Sequence, residues 1–342
     1  SEMCIRDSIY NMYINKSDLT EKSNFAGFIG GTNSESCDII NINLSGKIDI
    51  PASVAQKTQV GSFVGKANAL GNMINCHSDV EINIMGAPAY VGGVLAFMKN
   101  ANIKNCSYSG NITIATSGKV TNGIGGILGC TNSSTTGIEA VINGCYFDGS
   151  IKNNGSGIPK YVAGINSYSN LSKAAETITN NYVIGTIDCT ATDQGTVYGK
   201  TNTTNFDCEN NYYYADYTLT GKGGIPMKIE EFHSGEVAYL LNGDQMEFLF
   251  GQELDSDDNM PVVYRGSNRV YKTIFMYNNN EYAVLYNNTE MKFPKNPVPD
   301  DSPTFEGWYD EKGNRYDGNS TTQTDLTLYA CLLYTSDAAD EL

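Results

Sequence analysis

The sequence predicts a mainly β chain: a right-handed parallel β-helix (solenoid), then a small α+β capping segment with one short helix, then a further β-module. Three observations predict it. A short glycine-containing pattern recurs six times between residues 24 and 216. Each recurrence leads into apolar/polar alternation. The recurrence then stops after Tyr217, and a different alternation begins at Thr273.

The first block of the repeat runs apolar–small–Gly–apolar–apolar–small. It stands at residues 25–30, 60–65, 91–96, 124–129, 162–167 and 194–199, with starts 35, 31, 33, 38 and 32 residues apart. A constant pattern at a drifting spacing is expected of stacked rungs joined by loops of different length. The second block is an Asn-Cys or Asn-Asn anchor, with Cys37, Cys76, Cys106, Cys145, Asn181 and Asn211 as the anchoring residues. Gly110, Gly149 and Gly185 follow four residues after their anchors. The alternating runs come next: Gly110-Asn-Ile-Thr-Ile114, Gly149-Ser-Ile-Lys152 and Gly185-Thr-Ile-Asp-Cys189, with Val80-Glu-Ile-Asn-Ile84 and Lys47-Ile-Asp-Ile50 on the same template. Period-two runs bounded by Gly, Asn and Ser read as half-buried strands. About three short strands per repeat, and no helical pattern in this half, give the parallel β-helix.

Such a fold stacks equivalent side chains along its axis. Asn at a turn bonds its own backbone and the Asn of the next rung. Cys37, Cys76, Cys106 and Cys145, at one repeat position, are expected to form an inward column, since free Cys is among the most buried residue types. Their spacing at the repeat period does not resemble a disulfide framework, and no CxxC or Cys/His pairing at zinc spacing occurs.

After Tyr217, Thr218-Leu-Thr-Gly-Lys-Gly-Gly-Ile-Pro226 is a turn-rich connector. Residues 229–242 hold the one helical pattern, with Ser234 as cap, Val237, Tyr239, Leu240 and Leu241 as its apolar residues, and Gly243 as stop. The repeats, with their small-Gly-x-apolar-x-Gly signature over about 190 residues, resemble the GLUG-repeat family. Residues 234–271 resemble the closing segment that follows such repeats in bacterial surface proteins. A solenoid's last rung exposes apolar surface and strand edges, which something must cover.

From Thr273 the strands are expected at residues 273–277, 281–286 and 326–330, with Pro294, Pro297, Pro299 and Pro303 stiffening a loop between them. Phe305-Glu-Gly-Trp-Tyr309, Gly313 and Thr324-Asp-Leu-Thr-Leu-Tyr-Ala330 resemble the Listeria–Bacteroides repeat, also seen as the internalin B-repeat. Two departures stand out: no aromatic follows Ala330, and Asn278-Asn-Asn280 replaces the usual Gly-Gly. The resemblance implies a β-grasp-like module on an exported, cell-surface protein. Trp308 is expected to anchor its core.

The ends, residues 1–8 and 331–342, resemble translated sequencing-adaptor DNA and are set aside from fold reasoning. The expected organisation is therefore 9–222 for the repeats, 223–272 for the cap and 273–330 for the module. The formal charge is −16, of which the first eight residues carry −1 and the last twelve −3. An acidic chain of this kind argues against nucleic acid or an anionic membrane as partner, and no run approaches a transmembrane span.

Catalytic candidates are sparse. The two histidines, His77 and His233, lie at no recognised nucleophile motif. Gly123-Ile-Gly-Gly-Ile-Leu-Gly129 superficially resembles a nucleotide loop but recurs as a solenoid strand. Asp255-Ser-Asp-Asp-Asn259 offers oxygen ligands for Ca²⁺, yet lacks the Gly and distal Glu of an EF-hand loop. Asp300-Asp301 reads as loop charge. Asp49, Glu81, Asp148 and Asp188 lie on or beside comparable strands and are the carboxylates a polysaccharide lyase or hydrolase would use. Asn111 and Asn153 interrupt them.

The expectation is a non-catalytic, adhesin-like scaffold, secreted or at a bacterial cell surface, with glycans or host surface proteins as partners. No catalytic, cofactor-binding or metal-binding residue is assigned, and no cofactor is expected. The alternatives are a carbohydrate-active β-helix enzyme and the non-catalytic flank of a secreted peptidase. A scaffold is expected to lack any concave pocket that combines several carboxylates with a basic residue.

Overall fold

A computed structural model describes residues 7–15, 24–33, 37–53, 58–115, 122–216, 219, 221–243, 249–257, 259–263, 268–298 and 304–333. The chain divides into two compact units, Ser1–Lys228 and Ile229–Leu342.

The first unit is a parallel β-solenoid. Its rungs begin at six short strands, Phe25–Ala26, Gln59–Gly61, Tyr90–Gly92, Gly123–Gly125, Tyr161–Ala163 and Asp193–Gly195, which pair in that order into one parallel sheet. A second six-stranded sheet stacks Ile39–Ile40, Asn72–Ile74, Asn102–Lys104, Glu139–Asn143, Ala175–Thr179 and Asn205–Asp207. Two further strands complete a rung, as with Ser107–Tyr108 and Asn111–Ile114 in the third. A rung thus holds four or five short strands where the alternation suggested about three; in the fourth to sixth rungs Thr131–Ser133, Asn166–Leu171 and Tyr198–Thr201 pair as a further sheet. The extra break falls at the Asn anchors, whose positive φ turns the chain between strands.

The first block's glycine is required by a corner. At Gly92 a Cβ would come within 1.8 Å of the Leu95 carbonyl oxygen, which folds back over it. The alternating runs stack Ile48, Ile82, Ile112 and Ile151 in one inward column and Ile50, Ile84 and Ile114 in another, all essentially without solvent contact. Burying an Ile side chain contributes about 1.5–3 kcal/mol, so each column is a continuous source of cohesion between rungs.

The cysteine column is shorter than expected. Cys76, Cys106 and Cys145 are buried, but Cys37 is exposed. Strand register makes Ile42, next to Asn41, the first-rung partner of Cys76. Cys37 follows Ser36 rather than an Asn, so it lacks the turn that aims the next side chain inward. The column continues as Asn181 and Asn211, which are also buried. The Cys145 thiol approaches the Ile103 carbonyl at 3.7 Å, and the Asn181 amide donates to the Ile142 carbonyl at 3.1 Å. Thiol and amide therefore do the same work for the preceding rung.

At the start, Asp7–Asn15 pairs in parallel with Ile42–Ile50, a strand the repeat pattern does not announce. It includes Asp7 and Ser8, set aside above. At the other end Ile225–Met227 pairs in parallel with Tyr212–Tyr214.

The second unit begins with two short helices, Ile229–His233 and Glu236–Asn242. The helix expected after Ser234 is Glu236–Asn242; the other, Ile229–His233, was not expected and is separated from it at Gly235, whose φ of 94° is left-handed. Ser234 still accepts the Glu236 amide at 3.3 Å, and Gly243 closes the helix as expected. Ala238 packs with Leu254 and Val270, and Asn288 donates to the carbonyls of Gln252 and Arg269, which ties this segment to the terminal sheet.

In that sheet Tyr271–Tyr277 is flanked by Asn280–Asn287 and by Leu326–Leu333. Thr304–Tyr309 and Arg315–Tyr316 complete the other side. The Tyr271–Tyr277 pairing with Leu326–Leu333 is parallel and the rest are antiparallel, which is the strand order of a β-grasp sheet. Trp308 is 3% exposed, with edge contacts to Phe275 and Phe305 at ring centroid separations of 4.9 and 5.4 Å. Cys331, Leu332 and Leu333, also set aside above, extend the last strand against Thr304–Gly307.

Candidate functional site

The residues the sequence singles out do not meet at one place. Asp49 and Asp188 share an outward column, but Asn83, Thr113 and Lys152 stand between them. Four rung spacings of about 4.8 Å separate the two carboxylates by roughly 19 Å. Paired carboxyl groups in glycoside hydrolysis lie about 5–9.5 Å apart. Glu81 is in a different column, opposite Lys47, and Asp148 precedes the corner at Gly149. Asp49 is held by Lys47 at 3.4 Å and by the Asn83 amide at 3.2 Å.

His77 has a neighbour the sequence spacing concealed. Stacking brings Ser107, thirty residues on, to 2.6 Å from its Nδ1. Ser107 is 2% exposed, between His77 and Tyr146 in the ladder. The backbone amides of Ser107 and Tyr146 are already given to the carbonyls of Cys76 and Cys106. A nucleophile needs access and oxyanion donors, and this position supplies neither.

Asp255 pairs with Lys292 at 2.7 Å, and Asn259 donates to the His233 carbonyl at 2.9 Å. Asp258, Asp300 and Asp301 lie outside the described residues. Among the described residues no group of three or more His, Cys, Asp or Glu side chains is placed to hold a metal ion. The glycine run at 123–129 forms a solenoid strand and its corner, with Gly126 packed on the Phe147 ring.

One concave site does combine carboxylates with basic groups, against the expectation for a scaffold. Within the second unit a cavity of about 410 Å³ is lined by Glu230, Glu231, His233 and Glu236 from the helices, and by Tyr286 and Lys292. Leu254, Val284 and Leu285 give it an apolar side. Glu236 is pushed above the usual carboxylate range by burial and by the charge of Glu231, while Lys272 and the Tyr286 hydroxyl pull it back. Burial and Glu236 in turn push Tyr286 well up. Such a pocket can receive a cationic or hydroxyl-bearing group. It was illegible because its two sides are some fifty residues apart and meet only through the sheet.

The solenoid surface is organised differently. Uncharged polar side chains repeat from rung to rung and bond along the axis: Asn68 to Asn33 at 3.3 Å, Asn102 to Asn72 at 3.2 Å, Asn170 to Asn132 at 3.3 Å. Beside them Tyr161 and Tyr168 stack at 4.4 Å, half-exposed, and Asn202 donates to the Tyr168 hydroxyl at 3.0 Å.

Comparison with known proteins finds no matching family model, no matching curated protein and no matching solved structure.

Proposed function

We propose that this chain is a non-catalytic bacterial scaffold, secreted or displayed at the cell surface, whose solenoid presents an adhesin-like face to glycans or host surface proteins. The observation that carries the reading is the outward face itself. Its asparagine pairs recur from rung to rung, and two half-exposed tyrosines of the fifth rung stack beside them, so contacts are spread over several rungs rather than focused on one atom. Carboxamides can hydrogen-bond sugar hydroxyls, and amphipathic Tyr rings offer both an apolar face and a hydroxyl. The resemblance of the repeats to GLUG repeats, and of residues 305–330 to the Listeria–Bacteroides repeat, supports an exported location.

The separation of Asp49 from Asp188 supports the non-catalytic part, because general acid–base work needs both groups within reach of one bond. The pocket around Glu236 is where an activity would have to sit if this reading fails. The test is binding of the full chain to an array of neutral and acidic glycans. Binding that weakens at least several-fold in Tyr161→Ala, Tyr168→Ala and Asn170→Ala variants supports the reading. Glycan binding that is indifferent to all three, or that is lost in Glu236→Gln, overturns the assignment to the solenoid face.

A further inference from the structure

Glu176 lies inside the solenoid. It sits on Ala175–Thr179 in phase with Ile178, between Ala140 of the rung before and Phe206 of the rung after. It has no solvent exposure. Its Oε1 accepts from the Thr131 hydroxyl at 2.7 Å and from the Asn166 amide at 2.9 Å. Asn166 donates again to the Thr131 hydroxyl oxygen at 3.1 Å. Three strands of two rungs are thus joined through one carboxyl oxygen. The other oxygen, Oε2, is buried without a hydrogen-bond partner.

The surroundings supply no counter-charge. The ion pairs among the described residues do not include Glu176. Ser169 also favours the charged form, but its hydroxyl is shared with Thr203 on the sixth rung. The titratable groups facing Glu176 are the thiols of Cys130 and Cys208. Burial pushes both up, Cys208 to about 12, so they stay neutral near neutral pH. Asp207 and Glu209 bear on Cys208 and are of the same sign as an ionised Glu176. A buried carboxylate with one oxygen unsatisfied and no cation is costly, whereas a carboxylic acid there is neutral and gains a donor.

We propose that Glu176 is a proton-operated latch for the fourth to sixth rungs: its protonated carboxyl holds the interior network together, and loss of that proton above neutral pH loosens those rungs. The direction follows from linkage. A free Glu side chain titrates near 4.5, and desolvation pushes Glu176 up to about 7 despite its hydrogen bonds. Folding takes up a proton in that window. The contribution is complete below about pH 4.5 and is lost as pH rises through about 7. The local opening equilibrium therefore shifts toward the open form by on the order of 100-fold across the window. A solenoid tolerates this because rungs open as semi-independent neighbours. Acid surroundings would tighten the far end of the proposed binding face, although the latch does not depend on what that face binds.

The test is amide hydrogen exchange of the full chain at about pH 5 and about pH 8, corrected for intrinsic exchange rates. Protection in peptides covering residues 131–133, 166–179 and 198–207 is expected to fall on the order of 100-fold, with little change at 81–84 and 111–114. In Glu176→Gln, which keeps the shape and adds a permanent donor, the pH dependence is expected to vanish. If that variant does not fold, infrared titration of the wild type reads the carboxyl directly through its protonated C=O band, which is expected to persist to near neutral pH. Uniform loss of protection in all rungs, an unchanged pH dependence in Glu176→Gln, or a carboxyl ionised by about pH 5 each overturns the latch.

Discussion

Replacing Gly144 by Asn is expected to stabilise the solenoid. The turn asparagines Asn41, Asn75, Asn105, Asn180 and Asn210 all have φ of 50–60°, and Gly144 holds the fourth-rung place with φ 67°. Along this column the later rung donates to the earlier: Asn75 Nδ2 to Asn41 Oδ1 at 3.1 Å, and Asn210 Nδ2 to Asn180 Oδ1 at 2.8 Å. Asn105 should accept in the same way from the fourth rung, but glycine has no side chain to give. Its Oδ1 is buried and unpartnered. Supplying the amide adds a hydrogen bond of about 0.5–1.5 kcal/mol and relieves an unsatisfied acceptor. Replacing glycine also narrows the unfolded ensemble by about 0.4–1 kcal/mol, partly offset by the small left-handed penalty that Asn tolerates best. The net expectation is about 1 kcal/mol, or about 2–4 °C in the solenoid's melting temperature for a unit of this size. Thermal unfolding of Gly144→Asn is compared with Gly144→Ala, which carries the left-handed strain without the amide and is expected to lose about 1 kcal/mol. Removing the acceptor in an Asn105→Ala background should abolish the gain. Equal melting of the Asn and Ala variants would refute the ladder argument.

Trp308→Ala is expected to cost about 3–5 kcal/mol in the second unit and to leave the solenoid's protease resistance unchanged; simultaneous loss in both would mean one cooperative unit. Gly126→Ala places a Cβ 2.3 Å from the Gly164 carbonyl oxygen and 2.4 Å from the Phe147 ring. It is expected to destabilise the solenoid by about 1–3 kcal/mol in urea titration, and a neutral result would contradict the packing there. In native protein Cys37 is expected to react with iodoacetamide well before Cys76, Cys106 and Cys145, and burial holds the Cys106 thiol far above its ordinary range. Mass spectrometry showing equal labelling of all four would dissolve the inward column.

Much of the solenoid is legible because each rung repeats the same local demands. Glycine marks the corner at Gly92, asparagine marks the left-handed turns, and period-two isoleucines mark the inward face. Cys37 misleads because it shares the column's residue type but not the Asn that precedes Cys76, Cys106, Asn181 and Asn211; Asn41-Ile42 matches the turn instead. Glu176 was within reach: two residues before Ile178 on an alternating strand, it had to face inward. The helix Ile229–His233 was not, because five residues are too few to show a period; the left-handed Gly235 that separates it from the next helix sits where a Cβ would lie 2.8 Å from Leu254. Asp7–Asn15 was missed because a single strand carries no period. The pocket at Glu236 and the His77–Ser107 contact arise only when distant segments are stacked, and local pattern holds no record of that.

The most direct test is turnover. The full chain is incubated with neutral and acidic polysaccharides, with and without Ca²⁺, while new reducing ends and unsaturated products are followed. Binding to at least one glycan without product, unchanged in Asp148→Asn, Asp188→Asn and Glu236→Gln, is the predicted result. Product formation that disappears in any of those three variants would contradict the scaffold reading and name the residue that carries the chemistry.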